Sequence, residues 1–314
     1  MFVYNYNPKT KILDITLPQE LRFDFEFLNG ISEMIYIVEQ EGREYKQIRF
    51  SSPKNTNYPK MCKAYMFNVW RYLGKSHWVL WNVELNNVIG ATVKTVDGGK
   101  FSDIDVYETL TSESLNDYRF SNAKSADEAV KKLVRVIVEK NFTIDRNEVS
   151  EFLITTIGEI FSNAFLHSDR EEAFLIYDIE YDRDDYYLNV TVIDYGKTII
   201  QNVRSFLMHK EGRVVNSIEC MEWAIVELNT TRKGSGGYGL STLIDLIKNA
   251  RGELTILSGD TYYKLNHSDV KTGNVEGIFL GTTVTFRIKL FETKNIIAYD
   301  KKNEKLISFS LDDL

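Results

Sequence analysis

The chain has 314 residues, of which 43% are hydrophobic and 26% are charged, and its formal net charge is -7. These values are ordinary for a globular protein of about two domains, and they exclude collagen-like, coiled-coil and wholly disordered proteins. The negative charge argues against nucleic acid as the main partner. Cys62 and Cys220 lie too far apart for a zinc motif, and we expect both to be reduced thiols.

The hydropathy of the chain favours a cytoplasmic protein. The first residues lack the apolar segment of a signal peptide. No apolar run is long enough to cross a bilayer. We therefore expect no membrane partner.

Residues 1–112 alternate predicted strands with predicted helices. Pro59 and Gly74 are placed as start and stop signals of one helix. Period-two and apolar-rich patterns predict, in order, a strand, a helix, a strand, a helix and a strand: 11–17, 23–38, 45–50, 59–73 and 77–85. This alternation indicates a small α/β domain. A polar linker is predicted at 113–124.

Residues 125–292 have a different order of predicted elements, and a capping box opens the first helix. The pattern predicts two helices, at 125–138 and 148–166, and then a strand hairpin formed by 173–180 and 186–194. An irregular stretch at 201–233 follows and contains one short helix at 217–228. A helix at 240–252 and two strands at 253–257 and 281–290 complete the order. We expect an α+β fold with a helix layer on one face of a mixed sheet. Residues 293–314 form a charged tail.

A polar stripe lies on the second of these helices. Glu159, Asn163 and His167 recur every four residues and therefore share one helix face. A carboxylate and an amide one turn apart can orient a water molecule and bind a hard cation such as Mg²⁺. Such a stripe is also typical of a solvated face, so alone it identifies no site.

Glycines mark three further places. Asp194 follows an apolar strand, and Gly196 frees the backbone two residues later. Gly281 and Thr282 open the last strand. The glycine loop (residues 234–240) leads into a helix N-terminus, where backbone amides can approach an anion; its residues are Gly234, Ser235, Gly236, Gly237, Tyr238, Gly239 and Leu240. It matches neither the Walker pattern nor the dinucleotide pattern.

The order and spacing of these four segments resemble the GHKL superfamily of ATP-binding domains, which includes gyrases, heat-shock chaperones, histidine kinases and MutL. The N-box resembles 159–167, and the G1, G2 and G3 boxes resemble 194–196, 234–240 and 281–286. The resemblance covers about residues 120–292 and implies a Bergerat-type ATP-binding α/β sandwich.

The resemblance also implies roles for single residues. Glu159 matches the family's general base, Asn163 its Mg²⁺ ligand, and Asp194 the acid that binds the adenine amino group. The glycine loop matches the lid that holds the phosphates. Thr282 matches a hydroxyl near the adenine, with Thr283 as the alternative. ATP and Mg²⁺ are the expected ligands.

Several positions leave alternatives open. His167 fits either a phosphate contact or a structural helix end. Arg232 and Lys233 fit either a γ-phosphate contact or a solvated basic pair. Thr198 stands where the family has a second G1 glycine, which implies a stiffer turn or weaker nucleotide binding.

The segment 159–168 is most similar to anti-sigma-factor-type serine kinases, and the segment 223–259 resembles stand-alone bacterial ATP-binding proteins of that branch. This implies an Mg²⁺-dependent enzyme that hydrolyses ATP or transfers its γ-phosphoryl group to a protein hydroxyl. The alternative is an ATP-gated interaction switch with little or no turnover. Residues 1–112 resemble a STAS-type domain, which implies regulation or docking, with a STAS-like protein as partner or substrate. The sequence is compatible with a homodimer.

Overall fold

A computed structural model gives the architecture of the chain. It describes residues 2–39, 44–54, 56–77, 79–81, 117–120, 130–131, 133–137, 142–143, 157–158, 160, 163–164, 168, 173–227, 229, 231 and 239–292. The tail at 293–314 and the capping box at 125–128 lie outside these residues. Within them, no helix has both the length and the apolar composition needed to cross a membrane.

The N-terminal sheet has four strands in the order β1-β2-β3-β4. Strand β1 pairs antiparallel with β2, whereas the β2–β3 and β3–β4 pairs are parallel. The strands are β1 (Val3–Asn7), β2 (Ile12–Thr16), β3 (Gln47–Ser51) and β4 (Val79–Trp81). The predicted strands at 11–17 and 45–50 are confirmed, and β4 is the described part of 77–85. Strand β1 was not predicted.

Two helices connect the parallel strands, and both were predicted. They are α1 (Phe25–Glu39) and α2 (Lys60–Leu73). Gly30 lies inside α1 because a Cβ there would be 2.9 Å from the ring of Phe2. The apolar stripe of α2 is irregular because this helix is buried on most sides. Its Trp70 packs on Phe50 of β3, with the ring centroids 5.2 Å apart.

The second sheet has the strand order β5-β7-β8-β10-β6, and β9 also pairs with β10. All of its described pairings are antiparallel, although we expected a mixed sheet here. Tight turns explain the antiparallel pairs of the two hairpins, since Arg183, Asp184 and His267 have positive φ. The strands are β5 (Asp117–Phe120), β6 (Phe142–Thr143), β7 (Ala173–Asp182), β8 (Asp185–Asp194), β9 (Glu253–Asn266) and β10 (Asp269–Glu292).

Part of the predicted linker belongs to this sheet. Strand β5 lies within 113–124 and pairs with β7, with Asp117 opposite Ile176. The predicted hairpin of β7 and β8 is confirmed. Strands β9 and β10 extend beyond the predicted ranges and form a long hairpin.

Three further helices follow β8: α3 (Ile199–Glu211), α4 (Ser217–Ala224) and α5 (Gly239–Asn249). The prediction of an irregular stretch is wrong for 201–211, which α3 occupies. A capping box of Thr198 and Gln201 begins this helix, and Gly212 at φ 66 ends it. The expected helices at 217–228 and from Leu240 are confirmed.

The second sheet is covered on both faces. Apolar residues of its helix-side face form one core with α3, α4, α5 and seven described helical residues: Val130, Leu133, Val134, Ile137, Ile157, Ile160 and Ala164. Its opposite face shares a second core with the N-terminal sheet and with α1 and α2. The latter two helices therefore lie between the sheets, an arrangement of layers that the sequence did not predict.

The β9–β10 hairpin reaches α1 at a close backbone contact. The backbone N–H of Glu276 donates to the side-chain oxygen of Asn29 at 3.1 Å. A Cβ at Gly277 would be 2.3 Å from the carbonyl oxygen of Ser32. Only glycine therefore fits at 277 without separating the hairpin from α1.

We expect Gly277→Ala to lower the free energy of unfolding by about 1–3 kcal/mol, because overpacking separates α1 from β10. Urea unfolding of the full chain measures this. Gly158→Ala is the matched control, since a Cβ at this helical position meets nothing within 4 Å. It should be neutral or stabilising by up to about 1 kcal/mol. Equal stability of both variants would contradict the close contact.

Candidate functional site

A polar row crosses three neighbouring strands on the helix-side face of the second sheet. It consists of Asp194 on β8, Thr282 on β10 and Ser258 on β9. Thr282 is the cross-strand partner of both Asp194 and Ser258. The hydroxyl oxygens of Thr282 and Ser258 are 2.8 Å apart and share a hydrogen bond. The antiparallel register thus places an acid and two hydroxyls side by side.

Two glycines allow the backbone to close around this row. Gly281 has φ +142, and a Cβ there would be 1.9 Å from the carbonyl oxygen of Asp194. A Cβ at Gly196 would be 2.1 Å from the carbonyl oxygen of Ser168. The N–H of Lys197 donates to that same oxygen at 2.7 Å. Both positions therefore require glycine for a steric reason.

The carboxyl group of Asp194 is buried, with 4% of the residue exposed. Burial raises its pKa to about 7, against the opposing effect of backbone hydrogen bonds from Gly196 and Thr282. The Gly196 N–H donates to Oδ1 at 3.0 Å. A buried acid with a strongly raised pKa in a pocket is a candidate group for binding a hydrogen-bond donor.

Asp194 and Thr282 lie on the floor of a pocket that encloses about 860 Å³, including its open mouth. Val192 and Val284, in the same strands, make the rest of the floor apolar. Helical residues Ile160, Asn163 and Ala164 form one wall. An apolar pocket with a few convergent polar groups is typical of a small-molecule site.

The opposite wall comes from α3, α4 and the residues after α4. Helix α3 contributes Ile199, Asn202 and Val203. Trp223 and Asn229 follow, and the Asn229 amide donates to the Trp223 carbonyl oxygen at 2.8 Å. This bond fixes the amide and leaves its oxygen as an acceptor.

The structure brings several predicted residues together. Asn163, Asp194, Leu240 and Thr282 all line the pocket, and Gly196 packs beside it on Ser168. Gly239 begins α5. The remaining predicted site residues lie outside the described part of the chain: Glu159, His167, Arg232, Lys233, Gly234, Ser235, Gly236, Gly237 and Tyr238.

The structure distinguishes between Thr282 and Thr283, the two candidates for the hydroxyl near the base. Thr282 lines the pocket, whereas Thr283 is fully buried and absent from the pocket lining. Its strand partners Ile193 and Leu257 belong to the core shared with the N-terminal sheet. Alternation along β10 therefore directs the two threonines to opposite faces.

Thr198 has a structural explanation. Its side chain accepts a hydrogen bond from the Gln201 N–H at 3.0 Å and caps α3. The sequence spacing of Thr198 and Gln201 is itself a signal of this capping box. Ser258 and Asn202 were also missed as site residues, because their position depends on strand pairing and on α3.

Tyr195 turns away from the pocket. Its ring stacks on Tyr72 of α2, with centroids 4.4 Å apart and planes at 12°. The guanidinium of Arg71 lies 5.0 Å from the centroid of Phe174, which also contacts Tyr195. The segment that holds Asp194 is therefore packed directly against the N-terminal half.

A comparison with models of known protein families found no match. A comparison with curated protein sequences found none either. Among the described residues, no three His, Cys, Asp or Glu side chains are grouped as a metal site.

We expect Asp194 to make stability dependent on pH. A raised pKa means that the folded state keeps a proton that the unfolded state loses above about pH 4. The free energy of unfolding should therefore fall as pH rises from about 4 to about 7, by at most about 4 kcal/mol. Urea unfolding of Asp194→Asn should lack this component. Parallel pH profiles of the variant and the wild type would contradict the raised pKa.

Proposed function

We propose that the chain is a cytoplasmic, Mg²⁺-dependent ATP-binding protein of the GHKL class that hydrolyses ATP or transfers its γ-phosphoryl group to a protein hydroxyl. The observation that carries the proposal is the buried carboxyl of Asp194 beside Thr282 on a pocket floor. Residues from the N, G1, G2 and G3 segments meet at this one pocket: Asn163, Asp194, Leu240 and Thr282.

The pocket fits an adenine base. Its floor is apolar except for Asp194 and Thr282. The Asp194 carboxylate can accept a hydrogen bond from the exocyclic amine, and Thr282 can exchange one with the base edge. Apolar wall residues such as Ile160 and Val203 lower the local dielectric constant, which strengthens both interactions.

The described residues also fit Mg²⁺ carried with the nucleotide. Mg²⁺ takes few protein ligands and keeps several waters, and Asn163 supplies one amide oxygen from the pocket wall. When bound, Mg²⁺ offsets negative charge on the phosphate oxygens. Helix α5 starts at Gly239, at the end of the glycine loop, and a helix N-terminus favours an anion.

The resemblance assigns Glu159 as the general base. It stands four residues before Asn163 in the sequence, a spacing that would place both residues on one face of a helix. Glu159 would accept the proton of the attacking water or hydroxyl, and amides of the glycine loop would hold the phosphates. The alternative function, an ATP-gated interaction switch, uses the same pocket without this step.

The N-terminal half supports a role in regulation or docking. Its sheet alternates strands and helices in the order expected for a STAS-like module. Its α2 contacts Tyr195, next to the proposed base-binding acid. We propose a protein partner or substrate, for which a STAS-like protein is one candidate.

Calorimetry of the full chain with Mg·ATP tests the binding. We expect ATP to bind more tightly than GTP, because the base is held through its amino group. Asp194→Asn should weaken ATP binding by about tenfold or more, the effect of one hydrogen bond to a charged group. Asn163→Ala should weaken binding when Mg²⁺ is present.

Asp182→Asn is the matched control for Asp194→Asn. It makes the same chemical change at the turn end of the β7–β8 hairpin, where Asp182 pairs with Arg287 at 3.0 Å. ATP affinity should stay within about twofold of the wild type, since the site lies far along the strand. Absence of ATP binding by the wild type, or equal effects of both variants, would contradict the proposal.

Phosphate release tests the chemistry. Glu159→Ala should keep Mg·ATP binding and lose turnover by about a hundredfold or more, because a general base contributes at least that much. Unchanged turnover would remove Glu159 from this role. Binding without release by the wild type, with or without candidate partners, would favour the gated switch.

A further inference from the structure

Ser258 is fully buried at the end of the polar row and has three polar partners. Its Oγ accepts a hydrogen bond from the Ile199 N–H at 2.8 Å. The hydroxyl donates to the carbonyl oxygen of Gly281 at 3.2 Å. The Thr282 hydroxyl lies 2.8 Å away. Ser258 is 0% exposed, so water does not compete for these bonds.

One arrangement of the protons satisfies all three contacts at once, because the Gly281 carbonyl oxygen and the Ile199 N–H have fixed roles. A serine hydroxyl has one proton and two lone pairs. The proton goes to Gly281 and one lone pair receives the Ile199 N–H, so the second lone pair is left for the proton of Thr282. The Thr282 hydroxyl then points its proton at Ser258 and away from Asp194.

This orientation has a consequence for Asp194. Thr282 is the direct cross-strand neighbour of Asp194, and such neighbours have Cβ atoms about 4.5–5.5 Å apart, so rotation of the Thr282 side chain could bring its hydroxyl to the carboxyl. Without Ser258, Thr282 could donate to that carboxyl and occupy the lone pair that a ligand needs. With Ser258, both Asp194 and Thr282 face the pocket as acceptors.

From this geometry we infer that Ser258 is a positioning residue that makes the pocket selective for a nucleobase carrying an exocyclic amine. The inference rests on the proposed nucleotide binding. Ser258 touches no base itself and acts through Thr282 and through the first turn of α3. That turn carries Ile199 and Asn202 to the pocket wall.

ATP and inosine triphosphate are the probes for this selectivity. They share the ribose and phosphates, but inosine triphosphate has a keto oxygen where adenine has the amine. In wild type, ATP should bind at least about tenfold more tightly, the size of one well-made hydrogen bond. Ser258→Ala should lose most of this preference through weaker ATP binding, while the affinity for inosine triphosphate stays within about twofold.

Thr285→Val is the matched control. Thr285 shares a hydrogen bond of 2.9 Å with Thr191 in the same sheet, and both are absent from the pocket lining. The variant removes a paired hydroxyl of β10 without touching the polar row, so the ATP preference should be kept. A general loss of stability would lower the affinity for both nucleotides in either variant.

A double-mutant cycle separates positioning from simple packing. Ser258→Ala and Thr282→Val should each reduce the ATP preference, and the double variant should reduce it no further than the larger single effect. If Ser258→Ala does not fold, Ser258→Cys replaces it. The cysteine side chain fills the space of the serine side chain, and its S–H group is only a weak hydrogen-bond donor. The ATP preference of Ser258→Cys should fall between those of the wild type and Thr282→Val.

Each outcome has a defined meaning. If the wild type prefers ATP and Ser258→Ala keeps that preference, Ser258 has no positioning role while the nucleotide site stands. Equal binding of ATP and inosine triphosphate by the wild type also overturns the inference alone. If the wild type binds neither nucleotide, the proposed function fails and the inference fails with it.

Discussion

The antiparallel register between β8 and β10 fixes the pocket floor. It sets Asp194 opposite Thr282, and β9 adds Ser258 to the same row. The register is possible only because Gly281 has no side chain where a Cβ would be 1.9 Å from the Asp194 carbonyl oxygen. A shift of β10 by one residue would place Thr283 instead of Thr282 opposite Asp194.

The same strands line the pocket with one face and contact the N-terminal half with the other. Along β8, Val192 and Asp194 face the helices while Ile193 faces α1 and α2. Tyr195 extends this pattern by stacking on Tyr72. Because packed cores resist small displacements, the position of Asp194 depends on packing from both sides of the sheet. The N-terminal half is thus part of what holds the site.

Much of the fold could be predicted from local patterns. Period-two and apolar-rich patterns located β2, β3, β7, β8 and α1. The signals Pro59 and Gly74 located α2, and helical spacing located α5. Helix α3 was missed because only Ile200, Val203 and Leu207 of its residues are buried, which gives a weak stripe. Its capping box and Gly212 were the readable signals. Strand β5 was missed because its alternation of polar and aromatic residues lasts only four positions, 117–120, within a polar stretch.

The candidate site was predictable only in part. Asp194, Thr282 and Asn163 could be singled out by motif spacing, and the pocket contains all three. Ser258 could not, because its partners Ile199 and Thr282 are 59 and 24 residues away along the chain. The choice between Thr282 and Thr283 likewise required the register, since neighbouring residues of a strand differ only in the face they occupy.

Hydrogen exchange of the full chain with and without Mg·ATP tests the central claim most directly. The account predicts that ATP slows exchange at the end of β8, at the start of the β10 segment that follows Gly281, and in the first turn of α3. These amides surround the polar row. Protection confined to the N-terminal sheet, or no change at saturating ATP, would contradict the placement of the nucleotide site.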